Sequence, residues 1–300
     1  MYDLIIVGGG LAGMTAAIYA ARKEMNFIII SPEFGGEISN TPVVENWPGI
    51  KSIRGMELAQ NYVDHMKSLN VKIIEDAVTE IKKEGENFTV NTYGGSFSTK
   101  TIIWATGSKY RELKVPGEQE LKGRGVTYCS TCDGPLYKNK TVAVVGAGNN
   151  GLTSAIYMAA IANKVYLINK NPKLKGDAIL SEALLKSPKV EIINNSRVKQ
   201  INGEKKVTSA IITIGDAEKE LALDGVIINV GYTPITDPIK DIVELDPFGY
   251  LAVDQKNMTK VPGFFATGDV VNNPYKQLVI SASDGCKAAL GAFDYLATKK

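Results

Sequence analysis

The sequence predicts an α/β protein made of two doubly wound, Rossmann-like dinucleotide-binding domains, the second inserted into the first. Three observations carry this. Gly8-Gly9-Gly10-Leu11-Ala12-Gly13 fits G-x-G-x-x-G and joins an apolar run, Asp3 to Val7, to an alanine-rich helical stretch, Met14 through Lys23. Gly146-Ala147-Gly148-Asn149-Asn150-Gly151 repeats that design after Thr141 to Val145. Between the loops stands Cys129-Ser130-Thr131-Cys132-Asp133-Gly134, a C-x-x-C pair followed at once by a carboxylate.

The short apolar run Asp3 to Val7 suits a buried parallel strand, and Phe27 to Ile30 supplies the next one. In the loop between, the first glycine permits a tight turn. The second lets the backbone approach a pyrophosphate, and the third lets helix and strand pack closely. The free N–H groups at the helix start then face the phosphate charge. Glu33 follows Gly13 by about 20 residues, near where a ribose-binding acid belongs. The second unit repeats more than glycine. Thr15, Ala17, Ile18, Tyr19 and Ala21 recur in register as Thr153, Ala155, Ile156, Tyr157 and Ala159, and Val165 to Ile168 closes the unit.

The connecting chain is punctuated by turns. Glu45-Asn46-Trp47-Pro48-Gly49 reads as a loop, and Met56 to Leu69 has helical spacing, with His65 as a surface or interface residue. Strands are expected at Val71–Ile74, Phe88–Thr92 and Thr101–Trp104, with a hairpin turn at Gly94-Gly95. Ala105-Thr106-Gly107 ends a strand sharply, and Val115-Pro116-Gly117-Glu118 reads as a linker. Later strands are expected around Val190–Ile193, Ala210–Ile214 and Val226–Val230, with a return crossing between Gly231 and Pro238. Thr267-Gly268-Asp269 places a carboxylate at a strand end, able to accept from a ribitol or ribose hydroxyl. A last helix runs from about Gln277 to Leu296 and holds Cys286 as a small core residue. The domains are expected at 1–113, 114–238 and 239–300, the first and third forming one body.

Composition narrows the function. A length of 300 residues allows two cores, and a net charge of +2 points to neither nucleic acid nor an anionic membrane. No apolar run reaches the roughly 20 residues of a membrane helix, and glycines interrupt the N-terminal strand before a signal sequence forms. Three cysteines do not make a secreted disulfide framework, so a reducing cytoplasm is the expected compartment. A structural zinc site wants four ligands, and the chain offers one further cysteine and one histidine, both distant; no metal is expected. A redox dithiol needs a proton donor and acceptor nearby, and Asp133 suits that role.

Taken together, these residues resemble the low-molecular-weight thioredoxin reductases, FAD-dependent flavoproteins. The likeness covers essentially the whole chain. It rests on the first glycine loop, Gly35-Gly36-Glu37-Ile38, Glu45 to Gly49, Ala105-Thr106-Gly107, Tyr128 to Gly134, Thr267-Gly268-Asp269, and Gln277 ahead of Asp284 to Ala289. The resemblance implies a split FAD domain with an inserted domain bearing the dithiol, a homodimer, and rotation of one domain against the other. It implies FAD contacts from Gly8, Gly10, Leu11, Ala12, Gly13, Glu33, Gly36, Glu37, Ile38 and Asn46. Ala105, Thr106, Gly107, Gly268, Asp269, Lys276, Gln277 and Leu278 complete that set. It also implies that Cys132 faces the flavin, that Cys129 attacks the disulfide of thioredoxin or a thioredoxin-like protein, and that Asp133 handles the proton.

One departure bears on the electron donor. Members using NADPH typically carry a His-Arg-Arg stretch after the second strand of the second unit. Here that stretch reads Asn169-Lys170-Asn171-Pro172-Lys173-Leu174-Lys175. It offers no arginine for bidentate phosphate recognition and no acid for a ribose. Tyr232 stands where NADPH users commonly have histidine, and Gly151 where they have alanine. The chain is similar to members that take electrons from ferredoxin or a deazaflavin. An ordinary NADPH-dependent thioredoxin reductase is the alternative, and a flavoprotein redox sensor or docking module is the reading from another class.

Overall fold

A computed structural model describes residues 1–39, 41 and 43–299. The chain opens with β1 (Tyr2–Gly9), α1 (Leu11–Arg22), β2 (Phe27–Phe34), α2 (Gly55–Ser68) and β3 (Ile73–Glu75). A meander follows, β4 (Val78–Glu84), β5 (Asn87–Thr92) and β6 (Ser96–Trp104), then the short β7 (Ser108–Tyr110). Next come β8 (Val126–Thr127), α3 (Ser130–Asp133), β9 (Thr141–Val145), α4 (Asn149–Ile161), β10 (Lys164–Ile168), α5 (Ala178–Leu185) and β11 (Val190–Ile193). The antiparallel strands β12 (Ser196–Asn202), β13 (Ser209–Ile214) and β14 (Ala217–Ala222) precede β15 (Gly225–Ile228) and β16 (Tyr232–Pro234). The chain ends with β17 (Phe264–Ala266) and α6 (Leu278–Ala297).

Two compact units result. The first comprises Met1–Lys109 and Thr233–Lys300, the second Tyr110–Tyr232. In the first, seven strands form one sheet ordered β3-β2-β1-β6-β5-β4, with β17 also on β6. Its inner strands are parallel, and Leu4, Ile5 and Ile6 of β1 are wholly buried. That is why β1 reads as an unbroken apolar run: a parallel strand covered on both faces has no polar side to show. The helix α1 is rich in alanine because it too is buried, with Ala16, Ala17 and Ala20 fully enclosed and α6 packed alongside. The second unit repeats the design in a five-stranded parallel sheet, β11-β10-β9-β15-β8, with the three-stranded sheet β12-β13-β14 beside it in sequence.

The dividing points lie a few residues from the boundaries expected at 113/114 and 238/239, for a physical reason. Tyr110 stacks on Tyr128 at 4.9 Å and lies 5.0 Å from Tyr232, and Leu113 and Val115 pack on the core of the second unit. Val115-Pro116-Gly117-Glu118, read from sequence as a linker, therefore lies inside that unit. The Pro116 carbonyl accepts from Ile201 N–H at 2.9 Å. Glu118 is fully buried; it accepts from the amides of Leu113 at 2.9 Å and Lys114 at 2.7 Å and from Tyr128 Oη at 2.9 Å. Among the described residues no helix is long and apolar enough to cross a membrane.

Candidate functional site

In the first unit a cleft of about 380 Å³ opens at the C-terminal ends of β1, β2 and β6, where doubly wound sheets take their ligands. The loop Gly8 to Gly13 shapes it. Gly8 has φ +116°, and a Cβ there would lie 2.3 Å from the Ala105 carbonyl oxygen. A Cβ on Gly13 would lie 1.9 Å from the Gly8 carbonyl oxygen, so β1 and α1 meet only because both are glycine. Among the described residues nothing lies within 4 Å of the Gly10 Cβ position, which leaves the crest of the loop open. The Gly35 N–H donates to the Gly9 oxygen at 2.8 Å, bringing the Gly35-Gly36 turn against the crest.

Of the residues expected at the flavin, Gly8, Gly10, Leu11, Ala12 and Glu33 line this cleft, as do Gly36, Glu37 and Ile38. So do Ala105, Thr106, Gly107, Gly268, Asp269 and Leu278. Thr106 Oγ1 and Trp104 Nε1 both donate to the Ile235 carbonyl, at 2.7 and 2.9 Å, which fixes the end of β6. Burial holds the Asp269 carboxyl above the usual carboxylate range, against the pull of Lys276. Ser281 Oγ donates to its Oδ1 at 3.4 Å. Four expected residues are not in the lining. Gly13 acts behind the loop. Lys276 Nζ donates to the carbonyls of Asp269 and Val271, at 2.9 and 2.8 Å, and lies over the Tyr250 ring, so it braces the Asp269 turn from behind. Asn46 and Gln277 bond each other at 3.3 Å.

The cleft also takes in Asp76, Ala77, Val78, Ser108 and Pro238, which sequence reasoning missed. No motif marks them; they arrive through the third strand and the returning chain. A bond from the Thr92 side chain, then those from Gly94 N–H at 2.8 Å and Ala77 N–H at 2.7 Å, hold the Asp76 carboxyl below the usual range. Ser108 Oγ is buried with no hydrogen-bond partner among the described residues. An open crest, a half-buried carboxylate and an orphaned hydroxyl are what a bound dinucleotide would satisfy, so these residues fit a flavin dinucleotide.

In the second unit Cys129 and Cys132 are joined in a disulfide with Cα atoms 5.3 Å apart. Cys129 caps α3, and its Sγ accepts the Cys132 N–H at 3.2 Å. Cys129 is half-buried and Cys132 exposed. Thr127 ties the turn to the carboxylate: its Oγ1 donates to Asp133 Oδ2 and accepts the Cys129 N–H at 3.2 Å. The Asp133 carboxyl is pushed up by burial, and the Thr127 hydroxyl opposes this by favouring the charged form. Tyr137 is pushed up to about 12, by burial first and then by the Asp133 charge. A hydrogen bond to a charged group contributes about 1.5–3 kcal/mol. Thr127→Val is therefore expected to raise the Asp133 midpoint by about one to two pH units. Thr127→Ser should restore it. Carbon-13 NMR of labelled aspartate reads the shift directly; an unmoved midpoint would remove Thr127 from the account.

The second glycine loop copies the first in backbone. Gly146 has φ +116°, with its Cβ position 2.2 Å from the Asn229 carbonyl oxygen, and Gly148 is open like Gly10. Cys286, expected in the core, is only half-buried on α6, beside Tyr19 of α1.

Two dinucleotide folds in one chain, with a disulfide turn on the second, are the architecture of the disulfide oxidoreductases. The chain belongs to the pyridine nucleotide-disulphide oxidoreductase family, whose sequence pattern it matches over residues 2–285. It is 42% identical over 303 residues to a component of the alkyl hydroperoxide reductase of Pseudomonas putida, covering 98% of this chain and 58% of that protein. It thus spans little more than half the length of that curated relative. The thioredoxin reductase of Streptococcus pyogenes superposes with a TM-score of 0.94 at 38% identity, over 99% of each chain. A ferredoxin-flavin thioredoxin reductase from Clostridium acetobutylicum gives 0.55 at 30% identity, over 99% of this chain and 98% of that one. The chain has the two-domain fold of the thioredoxin reductases.

Proposed function

We propose that the protein is an FAD-dependent reductase of thioredoxin or a thioredoxin-like protein, supplied by a low-potential donor such as reduced ferredoxin or a deazaflavin rather than by NADPH. The observation that carries the reductase reading is the Cys129–Cys132 disulfide with Asp133 fixed beside it by Thr127. FAD held in the first unit and reduced by the donor would supply the two electrons that open this disulfide. The Cys129 sulfur, which accepts the Cys132 amide, is the better stabilised thiolate and attacks the substrate disulfide. A sulfur–sulfur bond forms to Cys129, and the released substrate thiolate takes the Asp133 proton. Cys132 then attacks Cys129, restoring the internal disulfide and freeing the second substrate sulfur.

The donor reading rests on the residues after β10. Lys170, Lys173 and Lys175 are exposed and carry charge without the planar fork that reads a phosphate. Absence of two charge-assisted bonds of about 1.5–3 kcal/mol each weakens binding by roughly two to four orders of magnitude. Anaerobic stopped-flow reduction of the bound flavin by each donor is the test. Reduced ferredoxin is expected to reduce it rapidly, with salt slowing the docking, and micromolar NADPH poorly. Rapid reduction by NADPH with no response to ferredoxin would overturn the donor assignment. A single round of thioredoxin reduction that then stops would favour a redox sensor.

A further inference from the structure

The molecule contains two copies of one dinucleotide design, and they differ where a ribose would be read. Val7 pairs with Ile30 in the first unit and Val145 with Ile168 in the second, so Ser31 matches Asn169 and Glu33 matches Asn171. In dinucleotide folds the chain just past this strand meets the adenosine ribose, usually through a carboxylate. The first unit presents Glu33 there, exposed and lining the cleft.

The second unit presents an asparagine network that faces inward. Asn169 is 1% exposed. Its Nδ2 donates to the Lys173 carbonyl at 3.1 Å and to Asn194 Oδ1 at 2.8 Å. Its Oδ1 accepts from Asn171 N–H at 3.1 Å and Asn171 Nδ2 at 3.4 Å. A carboxamide has two donor hydrogens and two acceptor lone pairs, so Asn169 has nothing left for a hydroxyl or a phosphate.

A second tie lies at the glycine loop itself. The segment after this network folds back over the loop, with Lys175 N–H on the Ala147 oxygen at 2.9 Å. Asp177 N–H donates to Asn149 Oδ1 at 2.8 Å, and Asn149 Nδ2 donates to Asp177 Oδ2 at 3.1 Å. A carboxylate is thereby held at the first residue of α4, where a dinucleotide would set its pyrophosphate. Like charge at that point opposes the phosphate, and the first turn of α1 carries no acid.

We propose that Asn169 and the Asn149–Asp177 tie are specificity-determining residues that exclude dinucleotides from the second unit, NADH and NADPH alike. The inference rests on the reading that another donor reduces the flavin, and it assigns that preference to two named sets of bonds. The fold keeps the loop's backbone, while bonds within this chain consume the Asn169 amide and hold the Asp177 carboxylate at the start of α4.

Calorimetric titration of the flavin-loaded protein with ADP-ribose and with 2′-phospho-ADP-ribose tests this without turnover. Wild type is expected to show no saturable binding up to about 1 mM. Asn169→Glu combined with Asp177→Asn is expected to improve ADP-ribose affinity at least about tenfold. Should Asn169→Glu fail to fold, Asp177→Asn alone, at an exposed position, is expected to bring binding into the millimolar range. Wild-type saturation below about 0.1 mM would overturn the proposal, as would a folded variant that binds no better than wild type. The donor reading fails separately: wild type that binds nucleotide yet is still reduced by ferredoxin sinks only the present inference. Wild type that binds no nucleotide and ignores ferredoxin sinks only the donor reading.

Discussion

Cys132→Ser is expected to end turnover and to trap a thioredoxin-like substrate as a stable mixed disulfide on Cys129, whereas Cys129→Ser ends turnover and traps nothing. The asymmetry follows from the turn. Cys129 caps α3, and its sulfur accepts the Cys132 amide at 3.2 Å, a bond that a backbone N–H still makes when residue 132 is serine. The lone Cys129 therefore keeps its stabilised thiolate and attacks. The substrate thiolate leaves with the Asp133 proton, and no second sulfur remains to resolve the bond. Serine at 129 removes the attacking atom itself. Cys286→Ala should leave turnover intact, since Cys286 lies on α6 of the other unit. Non-reducing gels and mass spectrometry read the adduct, and disulfide reduction reads turnover. Trapping by Cys129→Ser in place of Cys132→Ser would exchange the two roles, and turnover by either variant would end the dithiol mechanism.

What the sequence displays depends on how locally a constraint is written. The glycine loops are legible because the motif is written in six consecutive residues: Gly8 is forced by its φ of +116° and the nearby Ala105, Gly13 by Gly8, and Gly10 leaves the crest open. The dithiol is legible for the same reason, since its partners lie within six residues, from Thr127 to Asp133. The strands β4 and β14 are not. Only Ile81 is fully buried in the first and only Leu221 in the second, so neither shows an apolar run. Asp76 and Ser108 reach the cleft through strand order and the returning chain, which no local pattern encodes. Asn169 is an intermediate case. The sequence shows that neither an acid nor an arginine stands there, but only the structure shows that Lys173, Asn171 and Asn194 consume the amide.

Four glycine-to-alanine changes separate the two loops, and the largest effect is expected at Gly8. Alanine there meets the Ala105 oxygen at 2.3 Å with φ at +116°, so both sterics and backbone strain oppose it. Strain of that kind costs about 1–3 kcal/mol, and the clash adds to it. Gly8→Ala should therefore lose both stability and flavin. Gly146→Ala, with φ +116° and the Asn229 oxygen at 2.2 Å, should destabilise the second unit comparably yet keep the flavin. The informative pair is at the crests. Among the described residues no atom lies within 4 Å of the Cβ position of Gly10 or Gly148, so alanine at either leaves the unliganded fold unchanged. At Gly10 the added methyl stands where a pyrophosphate approaches the backbone, and flavin content after desalting should fall sharply. At Gly148 the proposed exclusion of dinucleotides makes the same change silent in flavin content, thermal unfolding and ferredoxin-driven turnover alike. A Gly148→Ala protein of normal stability that is reduced more slowly by its physiological donor would place that donor on the second loop after all.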